Sequence, residues 1–173
     1  DLHALDTTGR GYAHRVAFDF DGANGPTQSG FTRIGPASTN NPATMHGVTL
    51  EFTSAWGGNH RDRSDTGVLS GHPLAAMLQD FVFDNDFGDP FELALSGLAP
   101  EQRYELTIFS YDRTANSGRS SDWYQDAIAG SPLYTHTLVS SDPDSGYFSL
   151  MLRSDSDGMI HLLAESDSIV IFN

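Results

Sequence analysis

One short stretch near residue 60 gathers side chains that recognise ligands. It contains six candidate binding residues: Trp56, Asn59, His60, Arg61, Asp62 and Arg63. An Arg guanidinium is a planar fork that can hold a carboxylate, a sulfate or a hydroxyl-rich group through two hydrogen bonds. The stretch therefore predicts a binding site for an anionic or hydroxyl-rich ligand.

The two Arg side chains of this stretch are expected to have different roles. Asp62 lies between them, and one Arg is expected to be structural and the other exposed. We predict that His60 and Arg61 lie nearer the ligand. Arg63 is predicted to brace the fold by pairing with Asp65 or Asp80 across a turn.

A second segment, residues 110–126, places aromatic residues among polar ones. Its candidate binding residues are Tyr111, Asn116, Arg119, Trp123 and Tyr124. No apolar run of strand length occurs between residues 113 and 122, so the segment is predicted to be a long loop. Aromatic rings stack on the C–H faces of sugars, so the segment predicts a carbohydrate site. The alternative for Trp56 and Trp123 is that one of them closes the end of the core.

Several loops are rich in Asp and Asn, whose oxygens are ligands that Ca²⁺ prefers. They form three groups: Asp19 and Asp21 with Asn24; Asp84, Asn85, Asp86 and Asp89; and Asp155 with Asp157. None of the groups has the spacing of an EF-hand. Asp is also a common turn residue, so calcium binding and simple turn chemistry both remain open.

The charge of the chain argues against several partners. There are 23 acidic and nine basic residues, all nine of them Arg, which gives a net charge of −14. A field of this sign repels nucleic acid and anionic membranes. The chain has no continuous apolar run of about 18 residues, so no membrane span is predicted. Without Cys there is no disulfide, thiol catalysis or thiolate metal site.

Familiar catalytic motifs are missing from the sequence. It has no Gly-x-Ser-x-Gly elbow, phosphate loop or dinucleotide fingerprint, and its seven His residues lack zinc-site spacing. The chain is therefore predicted to be non-catalytic. One alternative is a small β-sandwich polysaccharide lyase or hydrolase, with Tyr124, His136 and Arg119 available for a lyase reaction. Another is a structural or adhesive spacer without a ligand.

Short strands are the elements expected to position these residues. Nine segments bounded by turn residues are predicted as strands: 14–20, 47–54, 80–84, 91–97, 103–112, 134–139, 147–154, 159–166 and 168–173. Residues 72–79 are predicted as the one helix, of about two turns. With 173 residues and a hydrophobic share of 38%, the chain is expected to form a single domain, 1–173. The pattern predicts an all-β antiparallel sandwich or jelly roll.

Two stretches together carry a resemblance to a known family. They are "RDRSDTG...LQDFVFD" and "FELALSGLAPEQRYELTIFSYD". The second resembles the strand, Leu-x-Pro-Gly-x-Tyr turn and strand of galactose-binding-like β-sandwich modules, although Glu101-Gln102 replaces the usual Gly. Malectin-like domains and many carbohydrate-binding modules of bacterial polysaccharide-degrading enzymes have this fold. "AFDFD" and "DSIVIF" also fit, because the first and last strands of that fold pair.

The resemblance implies a non-catalytic module that binds a polysaccharide or oligosaccharide. It also implies a structural Ca²⁺ between the first and last strands, where this chain has Asp19, Asp21 and Asp167. We expect such a module to be extracellular or at the cell surface. We also expect it to be cut from a longer chain that carries a catalytic or surface domain. The acidic, Lys-free composition suggests a saline habitat, and hence a marine algal polysaccharide as ligand.

Overall fold

A computed structural model describes residues 2–5, 12–21, 25–35, 41–53, 59–63, 69–84, 90–114, 119–138, 142–166 and 170–172. Within these ranges the chain forms fifteen strands. The first eight are Leu2–Leu5 (β1), Tyr12–Val16 (β2), Phe18–Phe20 (β3), Thr32–Ile34 (β4), Ala43–Met45 (β5), Val48–Thr53 (β6), Asn59–Asp62 (β7) and Asp80–Asp84 (β8). The others are Phe91–Ser96 (β9), Arg103–Phe109 (β10), Ser120–Gln125 (β11), Tyr134–Thr137 (β12), Tyr147–Arg153 (β13), Ile160–Glu165 (β14) and Val170–Phe172 (β15).

The strands form a sandwich of mainly antiparallel sheets. One sheet has the order β13-β10-β1-β2, and a larger sheet has the order β12-β11-β14-β9-β6-β5. A three-stranded sheet, β15-β8-β7, and the parallel pair β3-β4 complete the described architecture. The predicted all-β sandwich is confirmed.

Strand alternation builds the core between the two larger sheets. In β9, Leu93 and Leu95 are buried between more exposed neighbours, and in β13 the same holds for Leu150 and Leu152. These residues belong to one contiguous hydrophobic cluster. Burial of apolar area contributes about 25 cal/mol per Å², so this inward-facing set is the main source of stability.

Tyr104 holds the turn between β9 and β10. Its hydroxyl oxygen accepts a hydrogen bond from the Ala99 N–H at 2.8 Å, and the Ser154 hydroxyl donates to the Ala99 carbonyl at 2.7 Å. Glu101 has a φ of 60°, in the left-handed region that favours Gly. The turn therefore has a backbone conformation suited to Gly at a position that Glu occupies.

The helix predicted over residues 72–79 is wrong. Residues 73–76 form turns, and Met77–Gln79 forms a short 3₁₀ helix. Met77 and Leu78 pack into a small cluster with Leu69 and Tyr111, and β8 begins at the next residue after the 3₁₀ helix, so the segment has no room for a second turn. Among the described residues, no helix is both long and apolar enough to cross a membrane.

The pairing expected for the terminal strands is also wrong. The last described strand, β15, pairs antiparallel with β8, where Ile171 lies opposite Phe83. Near the N-terminus, β3 pairs in parallel with β4. In the described part of the chain, "AFDFD" and "DSIVIF" therefore lie in different sheets and do not pair with each other.

Candidate functional site

The first predicted binding segment lies on an edge strand rather than in a loop. In the described part of the chain, β7 is the outer strand of its sheet and β8 is its one neighbour. All four side chains from Asn59 to Asp62 are exposed to solvent. We call these four residues, together with Arg63, the β7 edge. Trp56 lies outside the described residues.

Two Arg side chains of the β7 edge lie over two Phe rings of β8. The Cζ of Arg61 is 4.7 Å from the ring centroid of Phe83, and the Cζ of Arg63 is 5.8 Å from that of Phe81. Both rings are buried. A guanidinium over an aromatic face gains a cation–π interaction and is held in a restricted set of rotamers.

Arg63 is the structural member of the pair, as predicted. Its Nη2 donates to Oδ2 of Asp112 at 3.1 Å, and the Asp112 side chain is 2% exposed. Burial would raise the pKa of Asp112, but hydrogen bonds from the backbone and hydroxyl of Thr114 and from Arg63 outweigh it and leave the pKa below its usual value. The partner is thus Asp112 rather than Asp80, and Asp65 lies outside the described residues.

This ion pair joins the two segments that were expected to share one site. Arg63 ends the β7 edge, and Asp112 follows β10 at the start of the second segment. Sequence reasoning missed Asp112 as a partner of Arg63. The available signal was its position as the last residue of the predicted strand 103–112, because side chains at strand ends can reach a neighbouring sheet. Asn116 lies outside the described residues.

The prediction that Trp123 stacks on a sugar is wrong. Its side chain is 0% exposed and packs edge-on against Phe148, with ring centroids 5.0 Å apart. The indole N–H donates to the Ser121 hydroxyl at 2.9 Å. The predicted loop is in part a strand, β11, that lies between β12 and β14, and its alternation turns Trp123 into the core.

Neither Tyr111 nor Tyr124 is available as an aromatic platform. Tyr111 is 0% exposed and packs with Leu69 and Leu78. Tyr124 is buried, and its hydroxyl donates to Oε1 of Glu165 at 2.9 Å. Both rings are therefore held by the protein itself. Arg119 is half-buried just before β11 and stays a candidate.

The lyase alternative would need Tyr124 and His136 to face one substrate. His136 lies opposite Ser121 across the β11–β12 pair, so it shares a face with Ser121 and Trp123. Tyr124, one residue further, points to the other face. Burial lowers the pKa of His136, whose ring stacks on Phe148 at 4.9 Å. The structure thus keeps these two side chains apart.

Two of the predicted metal ligands lie in a buried group that also includes a third carboxyl. Asp19, Asp21 and Asp80 are each 0% exposed, and we call them the acidic centre. The Gln28 N–H donates to Oδ2 of Asp19 at 2.5 Å. Nε of Arg33 lies 3.0 Å from Oδ2 of Asp21. The third predicted ligand, Asp167, lies outside the described residues.

The acidic centre raises the pKa of two of its carboxyl groups. Burial raises the pKa of Asp19 to about 6, with a further contribution from the charge of Asp21. The Gln28 N–H and Arg33 act in the opposite direction. The pKa of Asp80 is raised to about 9. Burial is the largest cause of this rise, and the close contact with the Asp21 carboxylate is the second. The group therefore resists carrying three negative charges.

Oxygens of Asp21 and Asp80 meet in a narrow space beside Gly25. A Cβ on Gly25 would clash with both Oδ2 of Asp80 and Oδ1 of Asp21, so these two oxygens are close neighbours. Oδ1 of Asp19, Oδ1 of Asp21 and Oε1 of Gln28 are buried and accept no hydrogen bond. Among the described residues, no three acidic or histidine side chains already form a metal-binding group.

Two groups of residues are thus available for binding chemistry. The β7 edge offers hydrogen-bond donors and acceptors to solvent, and the acidic centre offers buried oxygens.

In comparisons with known proteins, no protein-family model matches this chain and no curated protein matches it.

Proposed function

We propose that this chain is a non-catalytic carbohydrate-binding module that holds a polysaccharide at the β7 edge. The observation that carries the proposal is the exposed residue Arg61, whose guanidinium carbon lies 4.7 Å from the centroid of the Phe83 ring. A galactose-binding-like jelly roll is the form of the sandwich that we propose with it.

A side chain that is ordered before binding loses less conformational entropy when the ligand arrives. Phe83 orders Arg61 in this way, and the Arg61 side chain stays exposed. Asn59, His60 and Asp62 add exposed donors and acceptors on the same strand. Because a sugar hydroxyl both donates and accepts hydrogen bonds, this mixture suits a hydroxyl-rich ligand.

The Arg63–Asp112 ion pair supports the proposal by holding the strand in place. It fixes one end of the β7 edge to the segment that follows β10. A polar ligand bound at a rigid edge keeps its hydrogen bonds at lower entropic cost than one bound on a mobile loop.

The net charge of −14 narrows the ligand class, because a general negative field disfavours highly charged polyanions. We therefore propose a neutral or weakly acidic polysaccharide, with marine algal polysaccharides as the first class to test. In this proposal the module is extracellular and holds a polysaccharide-active enzyme, or a surface protein, at its glycan.

Affinity electrophoresis against plant and algal polysaccharides tests the proposal. At least one polysaccharide is expected to retard the wild-type protein. Arg61→Ala should weaken that retardation about tenfold or more, since a hydrogen bond to a charged group contributes about 1.5–3 kcal/mol. The free energy of unfolding should change by about 1 kcal/mol or less, because the side chain is exposed and its cation–π contact with Phe83 contributes about 0.5–1 kcal/mol.

Arg103→Ala is the matched control. Arg103 is also an exposed Arg, but it lies on β10 in another sheet, and its loss changes the net charge by the same amount. Equal effects of the two substitutions would contradict a site at the β7 edge. If no polysaccharide retards the protein, the polar edge serves only to discourage pairing with other strands, as in a spacer module. Turnover of a polysaccharide would favour the enzyme alternative.

A further inference from the structure

Tyr134 is an exposed aromatic residue on the inward face of β12. It lies opposite Trp123 across the β11–β12 pair, so the two side chains share one face of the sheet. Trp123 is 0% exposed, whereas Tyr134 is 41% exposed. The difference follows from the place of β12, which is an outer strand of its sheet in the described part of the chain. Tyr134 therefore lies at an open margin of the sandwich.

Phe148 holds the Tyr134 ring in a defined orientation. The two ring centroids are 4.7 Å apart and the ring planes differ by 20°, so the rings are stacked. His136 stacks on the same Phe148 ring at 4.9 Å. Because Phe148 covers one face of the Tyr134 ring, the exposed surface of this ring lies on its rim and its opposite face. A ring that is ordered before binding loses little entropy when it receives a ligand.

Strand β12 leads from Tyr134 to the residues that support the β7 edge. Leu138, the residue after β12, forms a buried cluster with Phe81 and Phe83 of β8. Phe83 is the ring over which Arg61 lies. Residue 138 is four positions beyond residue 134, which corresponds to about 13 Å along an extended strand. Tyr134 and the β7 edge are therefore connected through the side chains of one short strand.

We propose that Tyr134 stacks on one sugar unit of the polysaccharide that Arg61 holds through hydrogen bonds. This role of Tyr134 rests on the carbohydrate-binding function proposed above. Aromatic rings stack on the C–H faces of sugars. The sugar unit at Tyr134 must therefore present an apolar face, while another unit of the same chain presents hydroxyl groups to Arg61. Two contacts this far apart fit an oligosaccharide segment rather than a single sugar.

Tyr147 offers a matched control for an exposed aromatic ring. It is 51% exposed and lies on β13, next to Phe148. Successive side chains of a strand point to opposite faces, so Tyr147 points away from the face on which Phe148 meets Tyr134. Its ring is tilted by 41° against that of Phe109. General stickiness of exposed Tyr residues would affect both positions alike.

Affinity electrophoresis with a polysaccharide that retards the wild-type protein tests the role of Tyr134. Tyr134→Ala should weaken the retardation about fivefold, because it removes a stacked aromatic contact. Tyr134→Phe keeps the ring and should retain most of the retardation. Tyr147→Ala should behave like the wild type. Circular dichroism of each variant checks that it is folded.

Nuclear magnetic resonance of the wild-type protein keeps the test decisive even if Tyr134→Ala does not fold. The ring signals of Tyr134, assigned by their loss in Tyr134→Phe, should shift when an oligosaccharide of the retarding polysaccharide is added. The ring signals of Tyr147 should stay in place.

Unchanged ring signals of Tyr134 in the bound protein would overturn its role. Equal weakening by Tyr134→Ala and Tyr147→Ala would also overturn it. If Arg61→Ala weakens the retardation and Tyr134→Ala does not, the role of Tyr134 fails while carbohydrate binding at the β7 edge stands. If no polysaccharide retards the wild-type protein, the proposed function itself fails, and the role of Tyr134 fails with it.

Discussion

β7 and β11, two strands that the sequence assigned to one ligand site, differ in what they expose. On β7, four consecutive polar side chains face solvent, and Arg61 lies over a Phe ring. On β11, Trp123 is 0% exposed and its indole N–H is bonded within the protein. The aromatic residues Trp123 and Tyr124 of β11 are thus buried, and the polar residues of β7 remain available.

The difference follows from where each strand lies in its sheet. β7 is an outer strand with one described neighbour, whereas β11 has β12 on one side and β14 on the other. Alternation then sends Ser121 and Trp123 of β11 toward the core. In a sandwich, the strand and face on which a residue lies decide whether its side chain reaches solvent. The residue type determines ligand binding only for side chains that do reach solvent.

The largest expected effect comes from truncating the buried aromatic residue. Trp123→Ala should lower the free energy of unfolding by about 3–5 kcal/mol, because it removes a core side chain and leaves a cavity. Denaturant unfolding monitored by circular dichroism measures this loss. A change below about 1 kcal/mol would contradict the packing of β11. Arg61→Ala, from the exposed strand, is the comparison variant and should cost about 1 kcal/mol or less.

A smaller effect is expected from breaking either of two ion pairs that differ in burial, Arg63–Asp112 and Arg153–Glu101. Asp112→Asn should cost roughly 3 kcal/mol, because Arg63 loses a partner that is 2% exposed. Glu101→Gln should cost less than about 1 kcal/mol, because the Arg153–Glu101 pair is 61% and 53% exposed. Denaturant unfolding of both variants in one buffer compares them directly. Equal costs would mean that Arg63 does not brace the β7 edge.

The strand pair β7–β8 allows a third contrast, between Asp80 and its exposed cross-strand neighbour Asp62. The folded-state pKa of Asp80 is raised to about 9, so folded protein keeps a proton that the unfolded chain has released. In EDTA, stability should therefore fall as pH rises from about 7 toward about 9. Asp19, with a pKa of about 6, and His136, with a lowered pKa, titrate below this window.

Urea unfolding at both ends of this window measures the effect. Asp80→Asn should remove most of the fall, and Asp62→Asn should retain it. The same fall in all three proteins would show that the buried carboxyl is not its source.

Much of the fold could be predicted, because the central strands have a clean alternation. Residues 91–97, 103–112, 147–154 and 159–166 were expected as strands and contain β9, β10, β13 and β14. Period-two burial of large apolar residues produces this signal. The signal fails for β7 and β11, whose Asn, Asp, Ser and Gln residues have low strand propensity. Neighbouring strands, rather than local sequence, place these two.

The candidate sites could be predicted only in part, because their key contacts join distant residues. Different roles for Arg61 and Arg63 were predicted, but alternation does not explain them, because residues two apart lie on the same side of a strand. The partner of Arg63 could not be predicted, because Asp112 reaches it from another sheet. Likewise Asp19 and Asp21 were singled out from a short acidic motif, whereas Asp80 joins them only through the packing of β8 near β3.

The most direct test of carbohydrate binding at the β7 edge is amide hydrogen exchange with and without a polysaccharide that retards the protein. Exchange should slow at residues 59–63 and 111–114, where ligand contact and the Arg63–Asp112 pair limit local opening. It should stay unchanged in β11, whose aromatic residues are already buried. Slower exchange in β11 without any change at residues 59–63 would contradict this account.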